Sequence, residues 1–247
     1  DLTSADLTGA TGLTGTTGII ITATTNLTSA KLVGADLTGD ILTGVQMAKA
    51  DLTNATLTDA TLNTAATNLA GANLTNAIMG GADLTGATLT GAKLGGATLT
   101  NSAKLDNALL SKADLTGADL TSATLTGATL TGAKLNTATL TGADLTGADL
   151  TSADLTGATL TNVVISATTN LTSAKLVGAD LSSSNLNSAD LTSIEMAKAD
   201  LTGANLTSTT LASANLTGAK LGGANLTSAT LTGGAKLSKA DLTGANL

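Results

Sequence analysis

The chain has no cysteine, histidine, proline, phenylalanine, tyrosine, tryptophan or arginine. Each absence removes a class of structure or chemistry. Without cysteine there is no disulfide or thiol chemistry, and the lack fits oxidising and reducing compartments alike. Without histidine as well, the usual nucleophile–base pairs and most transition-metal sites are gone, so catalysis would have to rest on carboxylates and lysine. Without aromatics no ordinary close-packed core of large mixed side chains can be built. Long apolar runs are missing too: the most apolar segment, Gly18-Ile19-Ile20-Ile21, falls far short of the roughly 20 residues that span a bilayer.

What remains is dominated by Leu, Thr, Ala and Gly, with 11 Lys against 18 acidic residues, a net charge of −7 and a pI near 4.3. This balance favours solubility and disfavours nucleic acid and anionic membrane as partners. The expected partner is another copy of the chain or another protein, met through coil ends or lateral faces. No cofactor is implied, and an extracellular or cell-surface setting is favoured over the cytoplasm. The chain begins at Asp1 inside a repeat and stops at Leu247, reading as a mature fragment or a piece of a longer array.

The repeat is clearest from Ala113 to Leu160, which runs ADLTG ADLTS ATLTG ATLTG AKLNT ATLTG ADLTG ADLTS ADLTG ATL. Each five-residue unit has Ala two places before a central Leu, a polar residue between them, and Thr then Gly or Ser after. The register runs from Leu27 to Leu62, Leu69 to Leu99, Leu105 to Ile165, Leu171 to Leu231 and Leu237 to Leu247. A short insertion, Asn63 to Asn68, and single extra residues before Leu105, Leu171 and Leu237 break it; bulges or corner loops that spare the scaffold account for these. Residues 1–26 read as degenerate first coils, and the span from Leu7 to Leu27 preserves four units' worth of chain.

A longer duplication overlies the short repeat. ATTNLTSAKLVGADL occurs at Ala23–Leu37 and at Ala167–Leu181, and MAKADL, AKLGGA and SKADLTGA recur in the same order. One solenoid over 1–247, with duplicated blocks 27–120 and 163–247 around a regular middle 121–162, is the domain organisation this predicts. A period of 3.6 would scatter the Leu around a helix and a period of 2 would alternate them across a sheet. A coil whose short sides are single units places Ala and Leu inside and the other three residues outside. Met47, Met79 and Met196 then fill the core at central positions.

Units of the form A-D/N/T-L-T-G/S, covering nearly the whole chain from Leu27 onward, resemble the pentapeptide-repeat family. The resemblance implies an all-β fold, a right-handed quadrilateral β-helix or solenoid with about four five-residue units per coil. At about 4.8 Å per coil, roughly twelve coils make a rod of roughly 60 Å. The family often places Phe at central positions and often closes the solenoid with a terminal helix; this chain carries neither feature. Counting units in fours puts five of the seven Lys that precede a central residue into one column, which reads Lys31, Asp51, Asn73, Lys93, Asp114, Lys134, Asp154, Lys175, Glu195, Asn215, Lys236. Opposite charges would then neighbour one another from coil to coil and favour one register.

No other constellation suggests chemistry, and an enzyme is not expected. Asp180 and Asp200, one coil apart, supply too few ligands for a hard cation. The pairs Gly80-Gly81, Gly95-Gly96, Gly222-Gly223 and Gly233-Gly234 read as corners, and the Asn-Leu-Thr triplets arise automatically from the repeat. Outward apolar residues at Val33, Ile41, Ile78, Leu109, Val164 and Val177 are candidate contacts wherever they cluster. The function expected is a non-enzymatic structural or interaction scaffold that assembles end to end or within a larger fibre. The alternative, implied by the resemblance, is a DNA-mimicking inhibitor or protector of a topoisomerase such as gyrase. A third reading, ice binding, rests on Thr-Leu-Thr units, but Asp119 and Asp180 interrupt their ranks.

Overall fold

The corner of each unit is where local sequence decides local structure. In the computed structural model, which describes residues 1–11, 21 and 23–247, the Ala30 amide donates to the Leu27 carbonyl at 3.0 Å, and the same bond closes unit after unit. The third residue of each such turn has positive φ, for example Gly117 at 65° and Ser122 at 58°. A turn of that kind wants glycine, or a short polar residue that tolerates the left-handed region. This is why Gly and Ser follow Thr. At Gly81 (φ 71°) a Cβ would meet the Asp59 carboxylate, which would have to swing aside. The glycine pairs all lie in such corners.

Between corners the chain runs straight for one short side, and parallel bridges join each side to the next coil. Asp114 pairs with Lys134, and Lys134 with Asp154, an offset of 20 residues, or four units. Leu115 N donates to Lys134 O at 2.7 Å while Lys134 N donates to Ala113 O at 2.9 Å. Each side is thereby tied to the coil before it and the coil after it. Where the sequence carries insertions the offset grows, to 22 for Gln46 with Asn68 and 21 for Asp83 with Lys104, and the ladder continues.

Four faces result, each named here for the residues before the central positions. The charge-alternating face runs Asp6, Lys31, Asp51 and onward to Lys236. The threonine–aspartate face runs from Thr11 and Asp36 to Asp241, and the asparagine face from Ile41 to Asn185, Asn205, Asn225 and Asn246. The fourth, uncharged but for Asp149 and Asp190 and called the neutral face, includes Asn26, Gln46, Asn68, Thr88, Leu109, Thr129, Asp149, Asn170, Asp190, Thr210 and Thr230.

Every central residue from Leu27 to Leu226 is buried, Met47, Met79 and Met196 among them, and so are nearly all of the inward alanines. Burying one Leu contributes about 1.5–3 kcal/mol, while fixing each backbone residue of its unit costs about 1–2 kcal/mol. No unit is stable alone; stacking supplies the difference. Among the described residues five buried polar side chains, Asp40, Thr67, Thr169, Ser184 and Thr209, take inward alanine places, and the four hydroxyls bond to the backbone there. Thr169 Oγ1 donates to Leu145 O at 2.7 Å, Ser184 Oγ to Leu160 O at 2.6 Å and Thr209 Oγ1 to Leu206 O at 2.8 Å, while Thr67 Oγ1 accepts from Gly44 N at 2.7 Å.

The first turn differs from the reading that Leu7 to Leu27 preserves four units. Asp6 bridges to Lys31 and Thr11 to Asp36, an offset of 25 residues, so Leu7 stands one coil before Leu32. The distorted stretch and its Ile19-Ile20 fall almost wholly at 12–20 and 22, outside the described residues.

Candidate interaction surfaces

An Asp or Asn before the central Leu first serves its own unit. Thr116 N and Oγ1 both donate to Asp114 Oδ1, at 3.1 and 2.6 Å, and the pattern recurs at Asp36, Asp119, Asp149, Asn170, Asp200, Asn205 and Asp241. The Thr two places on is therefore a side-chain partner as well as a turn residue. These bonds favour the ionised carboxyl. Asp114 is held below the usual carboxylate range first by the Thr116 hydroxyl, against some desolvation, and then by the Thr116 amide and the Lys134 and Lys93 charges.

The charge-alternating face places no two acids side by side. Its order is Asp6, Lys31, Asp51, Asn73, Lys93, Asp114, Lys134, Asp154, Lys175, Glu195, Asn215, Lys236. Two ion pairs form within it, Lys31 with Asp6 at 4.0 Å and Lys134 with Asp114 at 3.9 Å, both largely exposed and thus worth little each. The asparagines that interrupt the lysines act as neutral donors to the acid beside them. Asn73 Nδ2 donates to Asp51 Oδ1 at 3.2 Å and Asn215 Nδ2 to Glu195 Oε2 at 2.8 Å. In this column every acid has donors for neighbours, and the lysine spacing is the legible part of that rule.

The adjacent face breaks that rule, since Asp180 and Asp200 are bridged neighbours. Their oxygens are engaged with the rod: Asp200 Oδ2 accepts Lys220 Nζ at 3.0 Å, while Asp180 accepts Ser182 N at 2.9 Å and Thr161 Oγ1 at 3.2 Å. The Thr202 hydroxyl is the first cause of a lowered Asp200 pKa, with desolvation opposing it and the Thr202 amide and Lys220 adding to it. On the asparagine face a side-chain ladder has formed, with Asn205 Nδ2 donating to Asn185 Oδ1 at 3.2 Å and Asn246 Nδ2 to Asn225 Oδ1 at 3.3 Å.

The outward apolar residues do not converge. Ile41 (66% exposed) and Val164 (37%) share the asparagine face but stand six bridges apart, Ile78 is on the threonine–aspartate face and Leu109 on the neutral face. Val33 and Val177 are half-buried corner residues. The threonine ranks are interrupted as well, Thr98 by Asp119 and Thr159 by Asp180.

Comparison with known proteins follows the geometry. A family model described as pentapeptide repeats matches in 8 copies, over residues 25–63, 67–102, 101–136, 130–166, 169–203 and 194–233. Among solved structures the chain is similar to HetL, a pentapeptide repeat protein involved in heterocyst differentiation regulation from the cyanobacterium Nostoc sp. strain PCC 7120. The identity is 35% over 90% of this chain and 88% of that one, at a TM-score of 0.41. It is also similar to full-length QnrB1, a plasmid-mediated fluoroquinolone resistance protein, with 19% identity over 82% of this chain and 93% of that one, at a TM-score of 0.51. A trypsin-treated QnrB1 variant aligns at 20% identity over 81% and 88% of the two chains, with a TM-score of 0.52. No curated protein matches.

Proposed function

The chain belongs to the pentapeptide-repeat family, and from that membership we propose that it is a non-enzymatic structural or interaction scaffold. In this reading it is a right-handed quadrilateral rod of roughly twelve coils, joined to its partners by stacking of coils. The observation that carries the reading is how the rod spends its polar groups. Outward Asp, Asn and Thr side chains are bonded to their own turn or to the adjacent coil, as in Asp114 with Thr116 and Asn215 with Glu195. A surface so occupied offers shape and regular spacing.

Stacking is the contact the fold makes best. Leu2, Leu7 and Ala10 at one side of the described rod, and Leu237, Ala240, Leu242 and Ala245 at the other, are only partly buried. A further coil, from this chain or another, would cover them and pair the backbone groups beneath. Analytical ultracentrifugation across a wide concentration range tests this. Association that grows with concentration is expected, and a monomer stable at high concentration counts against the reading.

The second reading, a DNA-mimicking inhibitor or protector of gyrase, is favoured by the net charge of −7 on a rod of the QnrB1 fold. A duplex mimic needs sustained negative potential, whereas the lysines of the charge-alternating face recur between its acids. A supercoiling assay separates the two: inhibition or protection of gyrase supports the mimic, and no effect removes it.

A further inference from the structure

Among the described residues from Asn26 to Asn246, the ladder of coil-to-coil bridges opens at one place. On the neutral face every described neighbour is bridged from Asn26 to Asn170 and again from Asp190 to Thr230, but no bridge joins Asn170 to Asp190. At the junction before, Leu150 N donates to Asn170 O at 2.8 Å, Ser152 N to Thr172 O at 2.8 Å and Asn170 N to Ala148 O at 2.9 Å. The equivalent bonds from Leu171 N, Ser173 N and Asp190 N are missing, as is that from Glu195 N to Ala174 O. A cleft of about 320 Å³ occupies the space, lined by Thr169–Ser173 on one coil and by Asp190, Thr192 and Ser193 on the next.

The threonine–aspartate and asparagine faces stay closed, and the charge-alternating face keeps one of its two bonds, Leu176 N to Glu195 O. Directly opposite, Leu181 N reaches Asp200 O at 2.7 Å and Asp200 N reaches Ala179 O at 2.9 Å. On the flanking sides Leu176 N reaches Glu195 O at 2.8 Å and Asn205 N reaches Ser184 O at 2.9 Å. The two coils therefore form a wedge, open on the neutral face and held on the threonine–aspartate face.

Two inward substitutions lie beside the wedge, and only one lacks a counterpart that the ladder tolerates. Thr169 occupies an inward alanine place, but Thr67 and Thr209 do so in the same column and keep their ladder bonds, Thr88 N to Thr67 O at 3.0 Å and Thr230 N to Thr209 O at 2.8 Å. Ile194 is different. Its column otherwise reads Ala5, Ala30, Ala50, Ala72, Ala92, Ala113, Ala133, Ala153, Ala174, Ala214, Ala235, and it is itself buried. Where Ala stacks on Ala at the spacing of neighbouring strands, about 4.8 Å, three added carbons cannot fit without separating the coils. The lost bonds fall on the segment that carries Ile194, from Asp190 to Glu195.

We propose that this pair of coils is a flexion joint set by Ile194, at which the rod bends about the threonine–aspartate face as the neutral face opens and closes. Elsewhere the same face is bolted at each junction by the bonds missing here, so bending concentrates at this step. Four backbone donors released from the ladder, Leu171 N, Ser173 N, Asp190 N and Glu195 N, make the open state hydrated and the closed state accessible at low cost.

The absence of cysteine allows a direct test by spin labelling at introduced cysteines. Asp149→Cys with Thr210→Cys spans the joint by three coil steps on the neutral face, and Thr88→Cys with Asp149→Cys spans three closed steps on the same face. Electron–electron resonance should give a distance distribution at least about twofold broader across the joint; equal widths overturn the proposal. Amide exchange by NMR reads the cause. The Leu171, Ser173 and Asp190 amides should exchange at least about tenfold faster than those of Leu150, Ser152 and Asn170, and Ile194→Ala should remove the difference. Equal rates in the unsubstituted protein, or an unchanged gap in Ile194→Ala, overturn it. Ala153→Ile should create a second joint, releasing the Gly132 and Asp154 amides while amides near Leu84 stay protected. Retained protection at Gly132 and Asp154 overturns the role given to Ile194; should Ala153→Ile not fold, the Ile194→Ala result decides.

Discussion

Residues 121–162 and residues 163–197 are built from the same unit and differ in how strictly they keep it. In the first segment every inward place is Ala or Leu, and all of these are at most 1% exposed. In the second, Val163, Ile165, Thr169, Ser184, Ile194 and Met196 take such places, and the ladder opens. The comparison shows what the solenoid tolerates. A small polar side chain is accepted because a carbonyl of a central Leu lies within reach, as for Thr169 and Ser184. Valine is accepted with the ladder bond kept, Asn68 N to Val45 O and Asn185 N to Val163 O both at 3.1 Å. Isoleucine at 194 is not. The limit is set by steric volume between stacked coils, because polarity inside can be satisfied and bulk cannot.

The largest effect expected from pressing on this difference is in the core. Leu140→Ala in the closed segment should cost about 2–5 kcal/mol, read from thermal or denaturant unfolding followed by circular dichroism. Leu171→Ala, beside the open wedge, should cost clearly less, because the side chain already has fewer neighbours on one side. A corner substitution comes next: Gly142→Val, at φ 66°, should cost about 1–2 kcal/mol by forcing a branched residue into the left-handed region. Thr169→Ala should cost about 0.5–1.5 kcal/mol: the Leu145 carbonyl still accepts the Ala148 amide at 3.0 Å, and the Ser166 amide, which loses the Thr169 Oγ1 acceptor at 3.1 Å, is only partly buried.

Acid acts along the rod, inside and beside both segments, in the same direction. Asp114, Asp149, Asp190 and Asp200 have lowered pKa values, each with the hydroxyl of the Thr two places on as the first cause. A carboxyl depressed in the folded state contributes stability that is present above its unfolded pKa, about 3.9, and is lost as pH falls through the folded value. The melting temperature should be flat from pH 7 to about 5 and then fall, with Asp114→Asn blunting the fall. The smallest effect belongs to the surface ion pair. A double-mutant cycle on Lys134 and Asp114 should give under about 1 kcal/mol, vanishing in high salt.

Much of this was legible in the residues because the repeat is strict. Counting in fours placed Lys31, Asp114, Lys134 and Lys236 in one column, and bridges join that column throughout. The role of Asn73 and Asn215 was not legible from charge alone, since an amide declares itself a donor only when the acid beside it is located. The apolar residues Ile41, Ile78, Leu109 and Val164 could be named but not mapped, because a cluster depends on which face each column occupies. The 25-residue offset of Asp6 with Lys31 escaped the count because degenerate units leave no Leu to number.

Period and chemistry of the unit were determined locally: Leu needs an apolar interior, Gly or Ser suits a left-handed corner, and Asp or Asn bonds to the Thr two residues on. Those requirements are met within five residues, so the order of residues suffices to read them. The opening at Asn170 and Asp190 was decided only by stacking. Ile194 is an unremarkable apolar residue in its own unit and becomes a wedge because Ala174 and Ala214 lie against it from coils 20 residues away on either side. Steric exclusion acts between neighbours in space, and in this rod those neighbours are a full turn apart in the chain.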